Sequence, residues 1–261
     1  MEQHYLRIGH RGYPAAAPEN TMASFQRAIE AGVDAIELDV HLSKDNHFVV
    51  MHDGHAGRTV RPRASGERAT ANPPGTKPVL VRDLTLAQLR EMSAGEWFAP
   101  EFSGEVAPTL DEVLELIRGR VRLFVELKAG SFVYPGVEEK LIACLKEHGV
   151  AHEVQVSSFD HHALLALKDL EPRLSTATLI ACHPVRPVDV ARAARADAIH
   201  PFYGFVTPDF VEEAHAAGLA VYTWTVDDKD DVKRLASWGV DGIMSNNAEL
   251  FSCNQGGDGP S

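Results

Sequence analysis

Cysteine is scarce in this chain. Cys144, Cys182 and Cys253 are widely spaced among 261 residues, odd in number and free of any C-x-x-C pair. That suggests neither a disulfide framework nor a zinc knuckle, and it fits a reducing compartment. No stretch of 18 apolar residues occurs, so no membrane span is expected. Residues Met1 to His10 lack a basic segment followed by an apolar run of signal-peptide length, and a cytoplasmic protein is expected. Positive charge is also short: 25 basic against 37 acidic side chains leave a net charge of -12. This balance opposes non-specific binding to nucleic acid or anionic membranes, so an anionic ligand needs a local positive site.

Several signature loops are missing as well. No G-x-G-x-x-G follows a candidate strand, no Walker A sequence is present and there is no G-x-S-x-G elbow, which argues against dinucleotide-binding sheets, P-loop NTPases and α/β-hydrolases. His148 and His152 are four apart, but Gly149 ends that helical segment and Glu does not follow His148, so the zincin pattern fails. His161 and His162 read as surface residues.

What the sequence does have is a regular alternation. Apolar residues are 44% and charged residues 24%, enough for a packed core. Short β-branched runs alternate with segments of helical period, the pattern of repeated βα units around a parallel sheet. Eight strands are expected at Tyr5–Gly9, Ala35–Val40, Arg122–Leu127, Val154–Ser158, Ser175–Ile180, Ala198–His200, Ala220–Thr225 and Gly242–Ser245. Helix ends are marked by Asn20 or Thr21 with Gly32, by the capping box Thr109 and Glu112 with Gly119, and by Thr207-Pro208 with Gly218. The fold class is therefore α/β, a (β/α)8 TIM barrel, with its active site at the C-terminal ends of the strands. Residues 1–251 are expected to form one barrel domain, and residues 53–108, after the second strand's hairpin, a small insertion. That segment is basic at Arg58, Arg61, Arg63 and Arg68 against Glu67, and it is read as a solvated surface loop rather than a substrate-steering flap. The polar, Gly-rich tail 252–261 is expected to be disordered.

Period-two reading of the second strand sends Ile36, Leu38 and Val40 to the helices and Ala35, Glu37 and Asp39 into the barrel. Two carboxylates about 7 Å apart in little water would cost several kcal/mol each without a partner, which implies a compensating cation. A hard divalent ion suits oxygen donors. The third strand points Phe124, Glu126 and Lys128 inward, making Glu126 the natural third ligand. Lys128 is read as functional, with a core salt bridge to Glu126 as its alternative. After Asp39 two extended runs flank Asp45-Asn46, a hairpin signal. With those two as the turn, Asp39 lies opposite His52, which brings an imidazole to the metal carboxylates. His10 and Arg11 end the first strand, where a guanidinium and an imidazole beside a cation make a phosphate site. Two histidines permit acid and base work on one phosphorus. Trp224 is a candidate wall against the substrate.

The segments His10-Arg11-Gly12, Pro18-Glu19-Asn20-Thr21, Glu37-Leu38-Asp39-Val40, His52-Asp53 and Glu126-Leu127-Lys128 together resemble the glycerophosphodiester phosphodiesterase family. The likeness continues through Asp83-Leu84-Thr85, Pro108-Thr109-Leu110, Ser157-Ser158-Phe159, Trp224-Thr225-Val226 and Gly239-Val240-Asp241-Gly242-Ile243. It implies a (β/α)8 barrel that hydrolyses glycerophosphodiesters to an alcohol and glycerol 3-phosphate. It further implies His10 and His52 as acid and base, Glu37, Asp39 and Glu126 on a divalent metal, Mg²⁺ or Ca²⁺, and Arg11 and Lys128 on the phosphate. The chain departs from the family at the turn, Asp45-Asn46 where Asp-Gly is usual, and after the last strand, where Ser245-Asn246-Asn247-Ala248 replaces Thr-Asp-Pro. The expected partner is a small glycerophosphodiester, with a homo-oligomer left open. Two alternatives stand beside this reading. A related barrel acting on lysophospholipids or phosphoinositides should offer an apolar groove, and no exposed apolar loop is evident. A non-catalytic phosphate-binding module could dispense with either histidine, and both are present.

Overall fold

The structure, a computed structural model, describes residues 5–63 and 77–254. Its strands in chain order are β1 (Leu6–His10), β2 (Ala35–Leu42), β3 (Phe48–Val50), β4 (His55–Ala56), β5 (Arg61–Pro62), β6 (Val79–Leu80), β7 (Met92–Ser93), β8 (Arg122–Leu127), β9 (Val154–Ser158), β10 (Ser175–Ile180), β11 (Ala198–Pro201), β12 (Ala220–Thr223) and β13 (Gly242–Ser245). The helices are α1 (Met22–Glu30), α2 (Leu86–Arg90), α3 (Leu110–Ile117), α4 (Val137–Glu147), α5 (His161–Leu170), α6 (Pro187–Ala193), α7 (Pro208–Ala216) and α8 (Lys229–Ser237). Strands β1, β2, β8, β9, β10, β11, β12 and β13 pair in parallel in that order, and β13 closes on β1. This is the expected (β/α)8 barrel.

Alternation along each strand builds two apolar layers. Outward residues such as Ile36, Leu38, Val40, Leu123, Val125 and Leu127 pack with Phe25, Leu114, Leu141 and Leu164 of the helices. Inward residues Ile8, Ala35, Phe124, Ala177, Ala198, Tyr222 and Met244 plug the barrel below its C-terminal mouth. The helices start where side-chain oxygens satisfy orphan backbone donors. Thr21 accepts from Ser24 N, Thr207 accepts from Phe210 N, and Thr109 and Glu112 cap each other reciprocally. Among the described residues no helix is long and apolar enough to cross a membrane.

The hairpin after β2 forms with a different register from the one expected. Its partners are Val40 with Val50, His41 with Val49 and Leu42 with Phe48, so Asp39 faces Met51 and not His52. The turn uses three residues: Asn46 adopts φ +66°, its N–H donates to Ser43 O at 3.0 Å, and Ser43 N–H donates to His47 O at 2.9 Å. A left-handed third residue after a tight turn takes up one position of the strand and shifts every pair by one. The insertion then forms two small ladders, β4 with β6 and β5 with β7, over a core of its own that includes Val49, Met51, Val60, Val81 and Leu89. Arg68 and Glu67 lie outside the described residues. At the C-terminal end a 3-10 segment, Ala248–Asn254, runs into the predicted tail, and residues 255–261 lie outside the described ones.

Candidate active site

Barrel register assembles the acidic cluster. Asp39 of β2 is the direct neighbour of Glu126 of β8, and Glu37 is the neighbour of His10 of β1. Oxygens of Glu37, Asp39 and Glu126 all lie within 4.8 Å of one another, and all three residues are buried. Two cations border them. Lys128 Nζ is 2.9 Å from Asp39 Oδ1 and 2.8 Å from Glu126 Oε1, while Arg11 Nε is 3.3 Å from Asp39 Oδ2. Lys128 thus sits among the acidic groups, the salt-bridge alternative of the sequence reading, and it also lines the cavity.

The compensation is unequal. Burial pushes the Asp39 carboxyl up, but Lys128 and Arg11 outweigh it and, with Asn20 Nδ2 donating at 2.7 Å, hold it well below the usual carboxylate range. Glu37 is pushed well above that range by burial, then by Asp39 and Glu126. Glu126 is pushed up to about 7 by burial and then by Asp39. Two carboxyls of three therefore lack full neutralisation, and every donor is an oxygen. That set fits a hard divalent ion, which would lower both groups by occupying the space between them.

Arg11 has φ +59°, and in this conformation its backbone N–H donates to Glu37 Oε2 at 3.1 Å. Gly12 follows at φ +92°, where a Cβ would collide with Ser24. The close packing of this turn on α1 thus demands the glycine of His-Arg-Gly.

Each candidate histidine has a partner on Nδ1. His10 Nδ1 lies 2.8 Å from Asn246 Oδ1. Asn246 Nδ2 donates to Asp227 Oδ2 at 2.6 Å, which turns its amide oxygen toward the ring. His10 Nδ1 therefore carries the proton and Nε2 the lone pair. Burial, then the adjacent Arg11, lowers His10 to about 4. His52 Nδ1 lies 2.7 Å from Asp53 Oδ1, and Arg58 Nε donates to Asp53 Oδ2 at 2.8 Å. Burial lowers His52 from its ordinary value, opposed by Asp39 and Asp53. Against the push of burial, Arg58 and His52 hold Asp53 down at about 2. Arg58 also binds Glu19 at 2.7 Å, and Glu19 accepts from Arg11 at 2.8 Å. The basic insertion thus contributes at Arg58 to the site's frame.

Residues that sequence reasoning passed over hold this frame. His41 Nε2 donates to the His52 carbonyl at 3.0 Å, and the Tyr134 hydroxyl donates to His41 Nδ1 at 2.9 Å. Glu19 and Asp53 stood inside quoted motifs without a role, and Asn20, read as a candidate helix cap, binds Asp39 while Thr21 caps the helix. Asn246 and Asp227 follow the last two barrel strands, and neither carries a local signal.

A cavity of about 130 Å³ at the mouth is lined by His10, Arg11, Glu37, His52, Glu126, Lys128, Phe159, His200 and Trp224, among others. Asp39 lies behind them, fully buried. Trp224 lines this cavity, its Nε1 donating to His200 O at 2.8 Å and its ring meeting Phe159 at 5.8 Å. His200 is a further buried residue at this cavity, its Nε2 at 2.8 Å from Gln155 Oε1 and its Nδ1 without a partner. His161 is half-buried and donates to Leu179 O at 3.1 Å, unlike the surface position expected. Exposed apolar side chains do occur beyond the strand ends, at Phe132, Phe159 and Val185.

The barrel mouth gathers three carboxylates, two histidines and two cations, a set with the chemistry to hold a divalent ion beside a phosphate. Comparison with known proteins agrees. The model of the glycerophosphoryl diester phosphodiesterase family matches residues 10–250. A glycerophosphodiester phosphodiesterase of Caldanaerobacter subterraneus subsp. tengcongensis is 41% identical, over 94% of this chain and 96% of its own. One from Bacillus subtilis is 31% identical over 94% and 85%. Among solved structures, an Oleispira antarctica phosphodiesterase in complex with the product sn-glycerol-3-phosphate superposes with a TM-score of 0.84 at 27% identity, covering 96% of this chain and 97% of its own. This chain belongs to the glycerophosphoryl diester phosphodiesterase family.

Proposed function

We propose that this chain hydrolyses glycerophosphodiesters to an alcohol and glycerol 3-phosphate. The observation that carries the reading is the convergence of Glu37, Asp39 and Glu126 with His10 and His52 in one mouth. The acidic trio would hold Mg²⁺ or Ca²⁺, and such an ion supplies charge neutralisation to the phosphoryl oxygens. Arg11 and Lys128 line the same cavity and present their charge to the phosphate.

Hydrolysis needs one neutral and one protonated histidine, and their surroundings divide the labour. His10 is kept neutral by burial and Arg11, so its Nε2 takes the proton of the attacking hydroxyl, from water or the substrate's own glycerol. Burial lowers His52 too, but Asp39 and Asp53 oppose that push and stabilise its imidazolium, so it gives the proton to the departing alcohol. Trp224 and Phe159 wall the head-group side.

The test is incubation of the purified protein with glycerophosphocholine and glycerophosphoethanolamine, with and without chelator, assaying glycerol 3-phosphate. Release that stops on chelation is expected; no release with any divalent metal refutes the reading. The assignment of acid and base is checked with a nitrophenyl phosphodiester, whose leaving group needs no proton. His52→Ala should retain far more activity on it than His10→Ala.

A second reading rests on Phe132, Phe159 and Val185, exposed on the loops after β8, β9 and β10. Such a rim suits the acyl chain of a lysophospholipid. Faster turnover of a lysophospholipid than of the deacylated diester would favour it.

A further inference from the structure

Away from the barrel mouth, α3 and α4 bring a second set of donor atoms together. Asp111 lies in the first turn of α3, Cys144 lies near the end of α4, and His148 caps α4. Positions 144 and 148 are one helical turn apart, so thiol and imidazole share a face. Both reach the same oxygen across the helix pair. His148 Nε2 is 2.9 Å from Asp111 Oδ1, Cys144 Sγ is 3.6 Å from it, and the three donor atoms lie within 4.8 Å of one another.

In a tetrahedral zinc site, bonds of about 2.0 to 2.3 Å place neighbouring ligand atoms roughly 3.3 to 3.6 Å apart. The carboxylate here already stands within a few tenths of an ångström of both separations. We propose that Asp111, Cys144 and His148 form a Zn²⁺ site, separate from the acidic trio, with its fourth position open to solvent. Zn²⁺ would take the place of the two hydrogens now directed at Asp111: the thiol proton leaves to solvent, and the imidazole proton moves from Nε2 to Nδ1. One thiolate, one carboxylate and one neutral imidazole then balance the ion's two charges. Sulfur and nitrogen donors select against Mg²⁺ and Ca²⁺, so the two sites divide hard from softer cations. Asp111 is 48% exposed and the His148 ring 12%, so the ion has an entry path on the carboxylate side. The site would staple together the two helices that flank β8, the strand carrying Glu126.

The experiment is a Co²⁺ titration of the full chain, read by the thiolate-to-cobalt charge-transfer band in the near ultraviolet. A band that saturates at one equivalent is expected. It should be displaced by Zn²⁺, persist in Glu126→Gln, and vanish in Cys144→Ser and His148→Ala. Zn²⁺ should also raise the melting temperature of the wild-type chain and leave Cys144→Ser unmoved. Unchanged phosphodiesterase activity of metal-loaded Cys144→Ser would show that this variant folds. No thiolate band, or a band that survives Cys144→Ser and so belongs to another thiol, overturns the proposal.

Discussion

His10 of the first barrel strand and Asn246 beyond the last are joined by a 2.8 Å contact between Nδ1 and Oδ1, across 236 residues of chain. Because Asp227 holds the other end of the amide, the contact fixes which ring nitrogen faces the cavity. Asn246→Ala removes this constraint while leaving His10 in place. The expected result is a fall of about 10- to 100-fold in kcat with little change in KM, the scale seen when a group orienting a functional imidazole is lost. Steady-state kinetics on a glycerophosphodiester provide the check. An unchanged kcat would remove Asn246 from the site's working parts.

Loss of either histidine proposed to transfer a proton should cost more. His10→Ala and His52→Ala are each expected to lower kcat on a natural diester by about 10²- to 10⁴-fold. Full activity in either variant ends that residue's assignment.

The acidic trio links metal, pH and stability. Glu126 is raised to about 7 in the folded protein from an ordinary value of 4.5. Without metal, its contribution to stability is present below 4.5 and lost as pH rises through about 7. Denaturation of chelated protein should therefore show stability falling from this group across that window. A divalent ion should reverse the fall, and metal affinity should rise with pH until Glu126 is ionised. Chelated Glu126→Gln should melt higher than wild type at pH 8 while losing phosphodiesterase activity. A lower melting point for that variant would contradict the unequal compensation described above.

Three histidines act in the opposite sense. His10 and His41 are lowered to about 4 and His200 to about 3, chiefly by burial, from an ordinary 6.5. Their contribution is intact above 6.5 and is lost as pH falls through 4 toward 3, because the unfolded chain takes up these protons first. His200→Phe should flatten part of this acid limb in denaturant titrations at stepped pH.

Tyr134 supports His52 at second hand, through His41. Tyr134→Phe leaves His41 Nδ1 buried without its donor, at a cost of about 1–3 kcal/mol. Urea denaturation should show that loss with no change in slope, and kcat should fall less than in His52→Ala.

The barrel and its acidic trio were legible because alternation decides which side chains face inward, and β2 and β8 alternate without interruption. The eight strands fall within two residues of their expected bounds at each end. The hairpin register was not legible to the same degree. Asn46 was recognised as tolerant of a left-handed conformation, but that conformation makes it a third turn residue and moves Asp39 from His52 to Met51. His52 still reaches the mouth, because its carbonyl is taken by His41 and its ring by Asp53. Such partners are single contacts between distant segments, like Asn246 to His10 or Arg58 to Glu19, and no periodicity announces them. The exposed Phe132 and Val185 escaped for a related reason: a lone apolar letter in a loop does not say which way it points.

Closure of the barrel by β13 against β1 bears on synthesis. The chain emerges from the ribosome with His10 first, yet the residue that orients its ring arrives only near the end. A nascent polypeptide halted before Asn246 would carry all three carboxylates and both histidines and still lack the seam that sets one of them. Full turnover would then begin only after the last strand docks, and a chain ending before Asn246 should turn over no faster than Asn246→Ala.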